Sequence, residues 1–131
     1  MDWCVYHSEK TMGHPYSTLK ECAVYSKTEQ KKLCFGDTIW VIQGGLDTPT
    51  DFTLVDYFKV QDFDHPPFKG AYRDFALKVL GESLLPKAVA LDASLGSWFS
   101  ELHGKYLSKQ RFFSALKEDE ILLGLRACSG T

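Results

Sequence analysis

Apolar and polar positions alternate with a period of two over "DWCVYHS". Trp3, Val5 and His7 fall on one side, Cys4 and Tyr6 on the other, which predicts a strand over residues 2–8. "EKTMGHPY" contains Gly13 and Pro15 and breaks this pattern into a loop. The period then changes in "STLKECAVYSKTEQKKL". Ser17 suits an N-cap, and Leu19, Cys22 and Ala23 sit at helical spacing, so a helix is expected from about residue 18. Lys31 and Lys32 suit its C-terminal end or a solvated loop beyond it.

A second β pattern follows. "GDTIWVIQGG" predicts a strand over residues 38–43, with Gly36-Asp37 before it and Gly44-Gly45 after it. "DFTLVDYFKVQDF" sets Phe52, Leu54, Asp56 and Phe58 against Thr53, Val55, Tyr57 and Lys59, and the two runs read as an antiparallel hairpin with an extended tip. "DHPPFKG" breaks the ladder, because successive prolines remove its donors. "YRDFALKVLGES" reads as a further strand, although a short helix fits it nearly as well, and "PKAVALD" reads as another strand. "LGSWFSELHG" reads as a turn or two of helix. "LKEDEILLGLRACS" reads as the last helix, with acids at its start and Arg126 near its end to complement the dipole. Together these elements predict an α+β domain on a small, mostly antiparallel barrel or strongly bent sheet.

Composition narrows the setting. A chain of 131 residues with 44% hydrophobic content is expected to form one domain, residues 1–131, around one sizeable core. "MDWCVYHSEK" has no basic start or apolar run, and no segment reaches the roughly 18 apolar residues of a membrane span, so a soluble cytoplasmic protein is expected. Cys4, Cys22, Cys34 and Cys128 form no CxxC pair and read as reduced thiols. No metal site and no cofactor are expected, since strand alternation sends Cys4 and His7 to opposite faces. Fifteen Lys plus Arg against 17 Asp plus Glu give a net charge of −2, so any contact with nucleic acid must be local.

The order "MDWCVYHS", helix, "FGDTIWVIQGG", "DFTLVDYFKVQDF" resembles the PUA-like superfamily, especially its EVE and ASCH branches. "LSKQRFFSALKEDEILLGL" is similar to the ending of EVE-type domains, where a polar-aromatic segment precedes the closing helix. The segment "HSEKTMGHPY" departs from the Asn- or Lys-rich ligand segment common there. The resemblance implies a small PUA-like β-pseudobarrel with flanking helices. It also implies a reader of RNA or DNA that holds a base, including a modified one, in an aromatic pocket.

A flipped base needs flat partners and polar groups for its edge. One stacked ring contributes roughly 1 to 3 kcal/mol against an extrusion cost of a few kcal/mol, so such a site needs several rings plus hydrogen bonds. Trp3, Tyr6, His7, Tyr16, Trp40, Tyr57 and Trp98 are the candidate ring partners, with Trp98 also suited to a core anchor, and His7, Ser8, Thr11 and His14 supply donors and acceptors on or beside the first loop. Lys109 and Arg111 interleave with aromatics in "GKYLSKQRFF" as phosphate contacts, with Gln110 as a base-edge partner; Lys27, Lys31 and Lys32 form a second cationic group. Two alternatives stand beside this reading. One is an ASCH-like hydrolase of nucleosides or RNA, using Cys4, Ser8 or Ser17 with His7, His14 or His65, although no catalytic motif is present. The other is a module binding a small molecule.

Overall fold

The structure, a computed structural model, describes residues 1–8, 16, 22–44, 52–108 and 112–130. Seven strands form one curled sheet: β1 (Asp2–Ser8), β2 (Ala23–Ser26), β3 (Thr38–Gly44), β4 (Phe52–Asp64), β5 (Leu77–Ser83), β6 (Val89–Leu91) and β7 (Phe113–Leu116). Their order is β2-β5-β4-β3-β1-β7, with β6 paired to the start of β4, and the sheet curls into a half-barrel. Two short helices accompany it, α1 (Ser97–Leu102) and α2 (Asp119–Ser129). The domain is therefore α+β, and its shape is compatible with a small pseudobarrel. No described helix is long and apolar enough to cross a membrane.

β1 and β3 follow the expected alternation, but they pair with each other in parallel, Trp3 opposite Ile39 and Tyr6 opposite Ile42. β3 and β4 form the expected antiparallel hairpin; its tip lies outside the described residues. The helix expected from residue 18 is corrected by β2. Residues 17–21, where it would start, lie outside the described residues, but Ala23–Ser26 is a strand antiparallel to β5. Val24 and Tyr25 favour a pleated ribbon, and pairing with β5 decides the matter over a helical spacing of only three residues. β7, which had no separate expectation, pairs antiparallel with β1.

Two irregularities in β4 bend the sheet. The register with β3 runs Leu54 to Ile42 and then Asp56 to Val41, which leaves Val55 as an extra residue, a β-bulge. A second shift against β5 leaves Gln61 extra between Val60 and Asp62. The first bulge overturns the strict alternation expected from sequence. Phe52 and Leu54 face one side of the sheet with Tyr57, while Phe58 and Val60 face the other.

Each face buries its own apolar cluster. On the convex side, Cys4, Trp40, Ile42, Leu54 and Tyr57 meet Phe99, Leu102, Ile121 and Leu125 from the helices. On the concave side, Trp3, Val5, Ile39, Val41, Phe58 and Val79 fill the half-barrel. Trp40 is only 1% exposed; its ring stacks on Tyr57 at 4.7 Å, and its indole N–H donates to Asp2 Oδ2 at 2.9 Å. All four cysteines are unpaired, and burial pushes the Cys4 thiol up to about 12.

The Gly-Asp turn before β3 has a definite task. Gly36 adopts a φ of 85°, a left-handed backbone that glycine takes without steric cost. This sets Asp37 to accept from the Trp3 indole at 3.0 Å, the Cys34 amide at 3.0 Å and the Met1 ammonium at 3.3 Å. Burial alone would push the Asp37 carboxyl up, but the Cys34 amide, the Trp3 indole and the ammonium outweigh it and hold it below the usual range. A folded-state pKa below the unfolded one stabilises the fold above the unfolded value of roughly 3.9, and that stabilisation disappears as pH falls through the folded value. Asp37→Asn is therefore expected to lower stability at pH 7 and to lose less on acidification from pH 5 to 2, as read by urea midpoints. An unchanged acid dependence would show that Asp37 is not a linked group.

Candidate functional site

A cavity of about 350 Å³ opens on the concave side. It lies between the two ends of the sheet: Val24 and Tyr25 of β2 form one wall, and Val5 and His7 of β1 with Phe113 of β7 form the other. The curled sheet leaves this gap because β2 and β7 terminate its strand order without pairing to each other. The volume falls in the range usual for small-ligand pockets, roughly 300 to 1,000 Å³.

Rings dominate the outer part. Tyr25 stacks on Tyr72 with centroids 3.7 Å apart and planes 12° from parallel. Phe75 meets both rings edge-on, at 6.0 and 5.4 Å, and Phe68 meets Tyr25 at 5.4 Å. Tyr72 is brought there by a 3-10 turn over Gly70–Tyr72, just after the proline break. Its hydroxyl is pushed up to about 12, chiefly by burial and then by Tyr25, and so stays protonated. Two cations lie on this ring cluster: Lys27 Nζ is 5.4 Å from the Phe75 centroid and Lys78 Nζ 5.5 Å from that of Tyr25. Of the two, Lys27 lines the cavity.

The cavity is also polar at two points. Ser26, Thr28 and Gln30 form a hydrogen-bonded cluster on β2 and the turn after it, in which the Gln30 Nε2 group donates to Ser26 Oγ at 2.9 Å and to Thr28 Oγ1 at 2.8 Å. Gln30 has a φ of 51°, a left-handed backbone that costs a non-glycine residue roughly 1 to 2 kcal/mol. These side-chain bonds, and the Leu33 amide donating to the Gln30 carbonyl at 3.0 Å, hold it there.

The second polar point is Tyr16, which reaches a buried carboxylate on β4. The Val55 bulge precedes Asp56, which accepts from Tyr16 Oη at 2.9 Å, Cys22 Sγ at 3.2 Å and Ser83 Oγ at 2.5 Å. Tyr16 lines the cavity and meets His7 edge-on at 5.9 Å, while its amide donates to Gln43 Oε1 at 2.6 Å. Burial, then the Asp56 charge, push the Tyr16 hydroxyl well above the ordinary tyrosine range. Burial, then the hydrogen bond to Asp56, push the Cys22 thiol up to about 12. Both groups therefore remain protonated donors at neutral pH, and neither Cys4 nor Cys22 offers a thiolate.

Of the residues singled out from sequence, the structure brings Tyr6, His7 and Tyr16 together on the cavity wall. Trp3 sits on the same face, tilted against the cavity-lining Phe113 at 5.8 Å, with its N–H committed to Asp37. Ser8 ends β1 and is buried. Trp40 lies on the opposite face, under the helices. His14, Lys109, Gln110 and Arg111 lie outside the described residues. Lys27 belongs to the expected cationic group and lines the cavity. Sequence reasoning did not find Tyr25, Tyr72, Phe75 or the Ser26–Thr28–Gln30 cluster. The period-two spacing of Ser26, Thr28 and Gln30 after Tyr25 in "AVYSKTEQ" is the signal that carried part of it. Among the described residues no group of His, Cys, Asp or Glu has the arrangement of a metal site. No protein-family model matches the chain, and no curated protein matches it.

Proposed function

We propose that this domain is a non-catalytic reader of nucleic acid that takes an unstacked base, including a modified one, into the half-barrel cavity. The observation that carries this reading is a ring-walled cavity of about 350 Å³ with Lys27 in its lining, Lys78 on the Tyr25 ring beside it, and the Ser26, Thr28 and Gln30 side chains in its wall. Stacking surface, cationic rim and edge-reading groups are the three things an extruded base requires, because no single one offsets the cost of extrusion. The resemblance to PUA-like domains in the order of strands supports the same reading. Burial holds the Cys4 thiol protonated, which removes one of the three nucleophiles named for the hydrolase alternative.

Short single-stranded oligonucleotides, with and without a methylated base, are expected to bind with an affinity that falls with salt. Two lysines on phosphates give a slope of about −1.4 in log K against log salt. Tyr25→Ala removes one stacking partner and is expected to weaken binding by about 5- to 150-fold, the range of 1 to 3 kcal/mol per base. Absence of binding at low salt, or binding indifferent to both salt and Tyr25, would overturn the reading in favour of a small-molecule module.

A further inference from the structure

The polar cluster in the cavity wall can be counted donor by donor. Ser26 Oγ accepts from the Thr28 amide at 3.2 Å and from Gln30 Nε2 at 2.9 Å, so both of its lone pairs are used. In the Ser26–Thr28 hydroxyl contact at 3.4 Å, Ser26 must then be the donor. Thr28 Oγ1 consequently accepts twice, from Ser26 and from Gln30 Nε2 at 2.8 Å. Both Nε2 hydrogens of Gln30 are spent within the cluster. Among the described residues, two groups remain over: the Thr28 hydroxyl proton, a donor, and Gln30 Oε1, an acceptor. They belong to side chains in direct contact, and both side chains line the cavity.

Given a base-binding cavity, as proposed above, we infer that Thr28 and Gln30 are its specificity-determining pair and that they read a planar edge bearing one N–H donor beside one acceptor. An exocyclic amine next to a ring nitrogen fits: the amine donates to Gln30 Oε1, and the ring nitrogen accepts from the Thr28 hydroxyl. The left-handed backbone at Gln30 suits this role, because it is the turn that brings the amide back onto Ser26 and Thr28. Thr28 is exposed and Gln30 half-buried, so a ligand edge without the donor takes Gln30 Oε1 out of water without replacing that hydrogen bond, which is the ground for discrimination against such analogues.

The test uses the full chain and single-stranded oligonucleotides that are abasic at every position except a central one, which carries cytosine, cytosine with its exocyclic amine doubly methylated, or no base. Cytosine is expected to bind about tenfold more tightly than the dimethylated base. Gln30→Met is expected to bring those two affinities together, and Thr28→Val to weaken cytosine by about fivefold. Far-UV circular dichroism establishes that each variant folds; if Gln30→Met does not, Thr28→Val and the ligand comparison carry the result. An abasic oligonucleotide that binds as tightly as cytosine overturns the base-reading function itself. A clear loss at the abasic site with equal affinity for cytosine and its dimethylated form overturns the assignment of Thr28 and Gln30 alone.

Discussion

Gly81→Ala is expected to destabilise the domain by about 3 kcal/mol or more, enough to leave much of a marginally stable protein unfolded. Gly81 lies on β5 opposite Val60, next to the Gln61 bulge, and its amide donates to the Cys22 carbonyl at 3.1 Å toward β2. A methyl group there would fall inside contact distance of the Phe58 ring and of the Lys59 carbonyl. Phe58 is fully buried and cannot swing aside, and the carbonyl is backbone in a paired strand. Relief therefore requires β5 to separate from β4, which also displaces β2 and the cavity wall. Urea denaturation followed by tryptophan fluorescence measures the effect. A midpoint equal to that of the unsubstituted protein would show that the two strands do not approach as closely as described.

Asp56→Ala is expected to cost about 3 kcal/mol, for a different reason. Its carboxylate collects three donors, from Tyr16, Cys22 and Ser83, and among the described residues all three are neutral. Removing the acceptor strands these groups in a region where Asp56 itself is only 5% exposed, and each stranded donor costs roughly 1 to 3 kcal/mol before relaxation. Asp56→Asn keeps one carbonyl acceptor and should cost about half as much. The ranking Ala worse than Asn, read from urea midpoints, is the diagnostic. Equal losses would mean that the site responds to volume and not to hydrogen bonding.

The β3–β4 hairpin and β1 were legible in the sequence because alternation and turn residues are local signals. "DWCVYHS" and "GDTIWVIQGG" contain their own period and their own stops. What was not legible depends on partners far along the chain. Ala23–Ser26 is too short to show a period, and β5, more than fifty residues later, makes it a strand. The extra residue at Val55 left no mark in the letters, yet it decides that Asp56 meets Tyr16 and Cys22 and does not join Phe52 and Leu54. The site divided in the same way. Tyr6, His7 and Tyr16 were found because they flank one suspicious loop, whereas Tyr72 and Phe75 reach the cavity only through the path of the chain after the proline break. Trp40 could have faced either way from its sequence alone; the parity of β3 sets it beneath the helices.

The strand order also has a consequence for how the cavity comes into being. β2 is four residues long and pairs with β5, which is itself anchored on β4, so β2 can dock only after the β3–β4–β5 meander exists. β1 and β2 are consecutive along the chain but stand far apart in the strand order, so β2 depends on pairing partners distant in sequence. The wall bearing Tyr25 and Ser26 is therefore the last piece to assemble and the first to detach. A ligand that touches β2 and β1 together would act as the missing stave of the barrel, joining the two ends that the chain leaves apart.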